Sequence, residues 1–207
     1  MYFVKTPLYL KRLFSGLTWD VKDGHDVFLT FDDGPVPGVT DRILDLLHEY
    51  NCKATFFCIG DNVRKHPELY HRILVEGHQV GNHTFHHVNG WKTSTEDYLQ
   101  EVEACSQYVT SNLFRPPYGR IGLNQMRLLQ KDYHIVMWDV LSGDFDTSLT
   151  ALECARFVID NMEPGSIVVF HDSEKAAARV LDALPLVLQH LQQKSWAAVK
   201  LNDSLCN

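Results

Sequence analysis

The chain has no C-x-x-C pair, no long apolar run, no excess of positive charge and no low-complexity linker. Each absence removes a class of function. Without a run of about 18 apolar residues, no membrane-spanning helix is expected. Lysine and arginine number 19 against 26 acids, for a net charge of -7, and phosphate backbones are bound by basic surfaces, so a nucleic-acid partner is excluded. The cysteines Cys52, Cys58, Cys105, Cys154 and Cys206 are odd in number and sit mostly in apolar stretches. Buried thiols are expected rather than a disulfide framework, and with them a reducing compartment.

The opening MYFVKTPLYLKRLFSGLTW is interrupted by Lys5, Pro7, Lys11 and Arg12 and shows no small-residue cleavage site. It does not read as a secretory leader, so a cytoplasmic protein is expected. Residues 1–25 are read as a segment packed on the domain, with membrane-surface contact as the other option for a basic, aromatic stretch. The remaining 26–207 read as one domain, a length that suits a sizeable single core.

What is present is an alternation of short apolar runs with helical patterns. Strands are predicted at 26–31, 53–59, 78–82, 113–115, 134–140, 166–171 and 196–201. Helices are predicted between them: from Thr40 or Asp41 as N-cap to Tyr50, from Val63 to Val75 with Gly77 as C-cap, along Tyr98 to Val109, and over 122–131, 149–162 and 175–193. Such alternation implies βαβ units and a parallel sheet. About seven strands is close to a full (β/α) barrel; an open doubly wound sheet is the alternative.

The polar residues favour the barrel. Asp32 and Asp33, His83 and His87, Arg115, Asp139 and Asp144, and His171 all fall at the C-terminal ends of predicted strands. That is the end where parallel barrels assemble their sites.

GNHTFHH carries His83, His86 and His87. Residues four apart share one face of a turn, so His83 and His87 form the better ligand pair and His86 only lines the site. Two imidazoles suit zinc and other first-row divalent metals. Thr84 stands where H-E-x-x-H would carry its glutamate, so a base must come from elsewhere. TFDDGP offers two adjacent carboxylates that point opposite ways in an extended segment, one toward a metal and one free as a base. Two histidines and an aspartate leave coordination positions open, which is a catalytic and not a closed structural arrangement. FRPPYG fixes an arginine beside a rigid turn whose free N–H groups belong to Tyr118 and Gly119, a guanidinium to orient a carboxylate and a donor for an oxyanion. His171 suits a general acid, with Asp139, Asp144 or Asp146 as its carboxylate partner.

These motifs, in this order, resemble the polysaccharide deacetylases, the NodB-homology domain of carbohydrate esterase family 4. The resemblance runs from about Asp26 to the last predicted strand. It rests on TFDDGP, His83-Thr84-Phe85-His86-His87, RPPYG, the WDV…SGD segment and the apolar strand ending in His171. It implies a distorted (β/α)7 barrel and metal-dependent removal of N-acetyl groups from an amino-sugar glycan of the peptidoglycan or chitin-oligosaccharide type. By position it implies Asp33, His83 and His87 as ligands of a divalent metal, zinc first and Co2+ or Ni2+ as alternatives. Asp32 becomes the general base, oriented by Arg115. His171 becomes the general acid, tuned by Asp144, and the Tyr118 N–H joins the metal at the oxyanion. Leu141 and Phe145 depart from the Asp and Trp that the family often carries in its fourth motif. An O-acetyl esterase and an inert sugar-binding module stay open as alternatives, and the oligomeric state is not fixed.

Overall fold

A computed structural model describes residues 2–21 and 25–202. Seven parallel strands form one sheet: β1 Phe28–Asp32, β2 Thr55–Cys58, β3 Gln79–Asn82, β4 Leu113–Phe114, β5 His134–Ile135, β6 Val140–Leu141 and β7 Ile167–His171. Their order is β5-β4-β3-β2-β1-β7-β6. This order is cyclic, 1 to 5 followed by a gap and then 6, 7 and back to 1. A doubly wound sheet would reverse direction at a switch point. The sheet is therefore a curled, incompletely closed barrel, and the doubly wound alternative falls.

The count of seven conceals two corrections. The predicted strand 134–140 is two strands on opposite edges of the gap, because β5 pairs with β4 while β6 pairs with β7. The predicted strand 196–201 contributes only a bridge from Ala198 to Val27. The N-terminal segment crosses the gap instead. Thr18 bridges Val136, Lys5 bridges Val140, and the Leu141 N–H donates to Val4 O at 2.8 Å. Beneath this crossing, buried Asp139 accepts from Lys11 Nζ at 2.5 Å, Lys5 Nζ at 2.6 Å and Ser166 Oγ at 2.6 Å.

The helices are α1 Leu8–Leu13, α2 Thr40–Glu49, α3 Gly60–Lys65, α4 Pro67–Val75, α5 Thr95–Ser106, α6 Leu123–Leu129, α7 Ala151–Ile159 and α8 Ala177–Lys194. The helix predicted from Val63 to Val75 breaks at His66, φ -130°, because Pro67 disfavours helical geometry in the residue before it and itself starts α4. Gly77 does close α4, at φ +82°. Thr40 is not the cap of α2 but its first residue, and its hydroxyl donates to Asp172 Oδ2 at 2.6 Å. No helix among the described residues is long and apolar enough to cross a membrane.

Alternation along the strands sorts side chains into two faces. Leu29, Phe31, Phe56, Val168 and Phe170 pack outward under the helices in the largest buried cluster. Phe28, Phe57, Leu113, Val136 and Ile167 fill the opposite face with Val21 and Leu201. Asp32 and His171, in register across β1 and β7, stand two and four residues further along that inner face from Thr30 and Ile167. The barrel floor is thus apolar and its C-terminal mouth polar. Cys52, Cys58, Cys105 and Cys154 are free and buried; Cys206 lies outside the described residues.

Candidate active site

At the mouth, β1 ends in Asp32 and the chain turns sharply at Asp33, φ +84°. The turn swings the second carboxylate toward the loop after β3. There Thr84 and His87 also take positive φ, +63° and +59°, and Tyr118 takes +60° in the loop after β4. Among the described residues, six non-glycine residues take this region of φ, and four of them lie in these three loops. Left-handed backbone at non-glycine residues is strained, and strain held by its surroundings is characteristic of functional sites.

The three loops bring Asp33, His83 and His87 together. Asp33 Oδ1 lies 3.1 Å from His87 Nε2 and 3.6 Å from His83 Nε2. Oδ1 is buried and accepts no hydrogen bond. His83 Nδ1 lies 2.7 Å from the carbonyl of Arg115, which can only accept, so Nδ1 carries a proton and Nε2 is the nitrogen turned to Asp33. This backbone contact is the kind that orients a metal-binding imidazole. Among the described residues, only this trio of possible ligands brings its donor atoms within 4.8 Å of one another. An orphaned buried carboxylate oxygen facing two imidazole nitrogens fits a divalent cation. Burial pushes the Asp33 carboxyl up, but His83, His87 and His171 outweigh it and hold the group well below the usual carboxylate range.

Asp32 faces the barrel interior, where Arg115 meets it. The guanidinium is fully buried and held from several sides: Nη1 donates to Asp32 Oδ1 and Thr30 Oγ1, each at 2.7 Å, Nη2 to Met137 O at 2.9 Å and Nε to Val136 O at 3.2 Å. Its carbon sits 4.1 Å over the Phe57 ring. The planar fork and the ring leave it one orientation.

His171 ends β7. Its Nδ1 lies 2.7 Å from Asp144 Oδ1, and its backbone N–H donates to Asp144 Oδ2 at 2.7 Å. Burial pushes the imidazolium down, but Asp144 more than offsets this, with Asp33 and Asp32 adding, and the group is raised to about 9. Of the carboxylates weighed as its partner, Asp144 is the one in contact. Asp139 is engaged by the lysines, and Asp146 accepts from Tyr2 and Ser148. Phe145 stands edge-on to the His171 ring at 5.3 Å.

Tyr118 is 60% exposed, with its ring 4.5 Å from that of His87. Among the described residues its N–H has no protein acceptor. His86 does not line the site. It is exposed and turned to Glu101, Nδ1 to Oε1 2.8 Å.

The sequence pattern gives no hint of Thr30 or Phe57, and only a slight one of Asp172. Asp172 is buried beside the Asp33 turn with Oδ1 unpartnered, and burial, with Asp33 adding, pushes it up to about 7 against the Thr40 hydroxyl. Its adjacency to His171 at the end of a strand was the one available signal.

Residues 20–137 match the model of the polysaccharide deacetylase family, more than half of the chain. The chain belongs to that family. A peptidoglycan-N-acetylglucosamine deacetylase of Bacillus cereus is 32% identical over 197 residues, which cover 91% of this chain and 92% of that one. A chitooligosaccharide deacetylase of Azorhizobium caulinodans is 30% identical over 83% of this chain and 90% of that one. Among solved structures, a peptidoglycan N-acetylglucosamine deacetylase in complex with 4-naphthalen-1-yl-N-oxidanyl-benzamide superposes with a TM-score of 0.87 at 32% identity, covering 97% of this chain and 96% of that one. The family places the chain among carbohydrate-deacetylating hydrolases, and the distorted (β/α)7 barrel expected of it is the fold described above.

Proposed function

We propose that the protein hydrolyses the N-acetyl group of a glucosamine-type sugar in a peptidoglycan- or chitin-like glycan, releasing acetate. The observation that carries this reading is the pair of fixed dyads, Arg115–Asp32 and His171–Asp144, at the same end of the sheet as the Asp33, His83 and His87 trio. A scissile amide needs a base and an acid held in opposite protonation states at one point.

Asp33, His83 and His87 would hold a divalent metal, with zinc the first choice for two imidazoles and a carboxylate. When bound, such an ion supplies Lewis acidity to a carbonyl and acidity to water. Asp32 has Oδ1 committed to Arg115, which leaves Oδ2 to take the proton of the attacking water. The Tyr118 N–H donates to the oxyanion as the carbonyl becomes tetrahedral. His171, protonated at neutral pH and aimed by Asp144, gives its proton to the departing nitrogen, so the amine leaves neutral. Asp144 does not change charge; it fixes the ring and stabilises the imidazolium.

The test is acetate release from N-acetylglucosamine oligomers and from peptidoglycan strands, before and after chelation. Activity lost with the chelator and restored by zinc supports the reading. Glycan binding without acetate from any acetylated substrate would reduce the protein to a sugar-binding module.

A further inference from the structure

One exposed pair stands on the loops that follow His87 and Tyr118. Trp91 is 68% exposed, although an indole gains much from burial. It is nevertheless fixed. Its Nε1–H donates to Ile121 O at 3.1 Å, and the Arg120 guanidinium carbon lies 5.1 Å from its ring centre. Gly90 permits this: a Cβ there would come within 2.5 Å of Arg120 O and 3.1 Å of Ile121 Cα, so the turn carrying Trp91 rests on that backbone. Buried Gln125 clamps both segments. Its Nε2 donates to Gly90 O at 2.9 Å and Thr93 O at 3.1 Å, and its Oε1 accepts from Gly122 N–H at 2.8 Å.

Both halves of this platform lead back to the cluster. Trp91 lies four residues beyond His87, and Arg120 two beyond Tyr118, whose ring touches that of His87. Among the described residues the exposed Arg120 side chain makes no ion pair or hydrogen bond, in a chain whose acids outnumber its bases 26 to 19. A flat ring face stacks on the C–H face of a pyranose, and an unpaired guanidinium binds a carboxylate bidentately. The net charge of -7 would otherwise repel an acidic polymer.

From this pairing we infer that Trp91 and Arg120 form a subsite for a carboxylate-bearing sugar unit flanking the acetylated residue. The inference rests on the deacetylase reading and refines it, because a neutral acetylglucosamine chain would use the ring face alone.

The probes are peptide-free peptidoglycan strands, whose alternate sugars carry a lactyl carboxylate, the same strands with those carboxylates converted to methylamides, and acetylglucosamine oligomers of equal length. Acetate release and calorimetric binding are measured on the metal-loaded protein. Arg120→Gln should raise KM and Kd about tenfold on the carboxylate strands, with kcat unchanged and the methylamide strands and neutral oligomers unaffected. Trp91→Ala should weaken all three polymers while sparing the N-acetylglucosamine disaccharide. Equal effects of Arg120→Gln on all three polymers, or no effect on any, would overturn the subsite. The two readings fail separately. Arg120-dependent binding without acetate sinks the deacetylase and keeps the subsite; acetate release indifferent to Arg120 does the reverse.

Discussion

Arg115 and Asp32 meet inside the barrel, Nη1 to Oδ1 2.7 Å, the guanidinium fully buried and the carboxylate 6% exposed. Every other donor direction of Arg115 seen here ends on Thr30, Val136 or Met137. A charge with this many partners is held for orientation. Asp32→Asn keeps the size and one acceptor but cannot take a proton. We expect it to retain metal at one per chain, measured by elemental analysis, while kcat falls by about 10²- to 10⁴-fold, the usual share of a general base. Loss of the metal instead would mean that Asp32, and not Asp33, is the ligand.

The three histidines of GNHTFHH have three environments, and substitution should sort them. His83 is locked by the Arg115 carbonyl and His87 faces Asp33, whereas His86 leans outward on Glu101. His83→Ala and His87→Ala should each weaken metal retention at least about tenfold against a competing chelator, the scale seen even for groups that only support a ligand. His86→Ala should leave both retention and kcat within about twofold, since exposed ion pairs contribute little. A loss with His86→Ala as deep as with His83→Ala would show the wrong pair has been chosen.

Why the clustered polar residues were legible in the sequence and the barrel seam was not has a physical reason. Asp33, His83, Arg115 and His171 sit where a short apolar run stops, so local alternation locates them on one end of the sheet. HIVMWDV is equally apolar throughout, and nothing local says that it leaves one edge and joins the other. That break is set by Asp139 and its lysines, residues 128 and 134 positions away. The same long-range contacts removed Asp139 as a partner for His171, leaving Asp144. Trp196 to Leu201 has a strand's composition, but β1 and β2 already find their neighbours in β7 and β3, so only Ala198 pairs.

His171 gives the pH dependence. Its folded pKa, about 9, lies above the ordinary 6.5. The protonated form is therefore favoured by folding; that contribution to stability is complete below about 6.5 and is lost as pH rises through about 9. The acid role proposed for His171 follows the same sign. The alkaline limb of kcat should fall at about 9 in the absence of other charges, and lower in the loaded enzyme, because a cation at Asp33 opposes the imidazolium. Asp144→Asn removes the strongest raising influence, so this limb should move at least one unit toward neutrality, with kcat reduced at every pH. An unmoved limb would place the ionisation on another group.

Asp139 tests the seam without touching the chemistry. It is 1% exposed and accepts from Lys5, Lys11 and Ser166. Asp139→Ala leaves two ammonium groups facing a cavity, and breaking a buried pair from one side costs about 3–5 kcal/mol. Lys5 is one-third exposed and can turn to water, so the lower end of that range is expected, read as a shift in urea midpoint. Acetate release per folded molecule should stay within about twofold. A large loss of kcat in folded protein would return Asp139 to the catalytic set.

Gly34 supplies the most local test of how the Asp33 turn is built. A Cβ at this position would lie 1.8 Å from Asp172 Oδ2. Neither side can yield cheaply, because Asp172 is buried and accepts from Thr40 Oγ1, which in turn accepts from the Val36 N–H at 2.8 Å. Gly34→Ala must therefore displace the turn that aims Asp33 at the two imidazoles. Overpacking of this kind costs about 1–3 kcal/mol, and metal retention should fall about tenfold or more with it. Asp172→Ala removes the obstructing carboxylate along with its unpartnered Oδ1. In the Gly34→Ala background it should restore metal retention at least in part, which no ordinary second cavity mutation would do. If the double variant retains metal no better than Gly34→Ala alone, the steric account of this turn is wrong, and the glycine serves the backbone in another way.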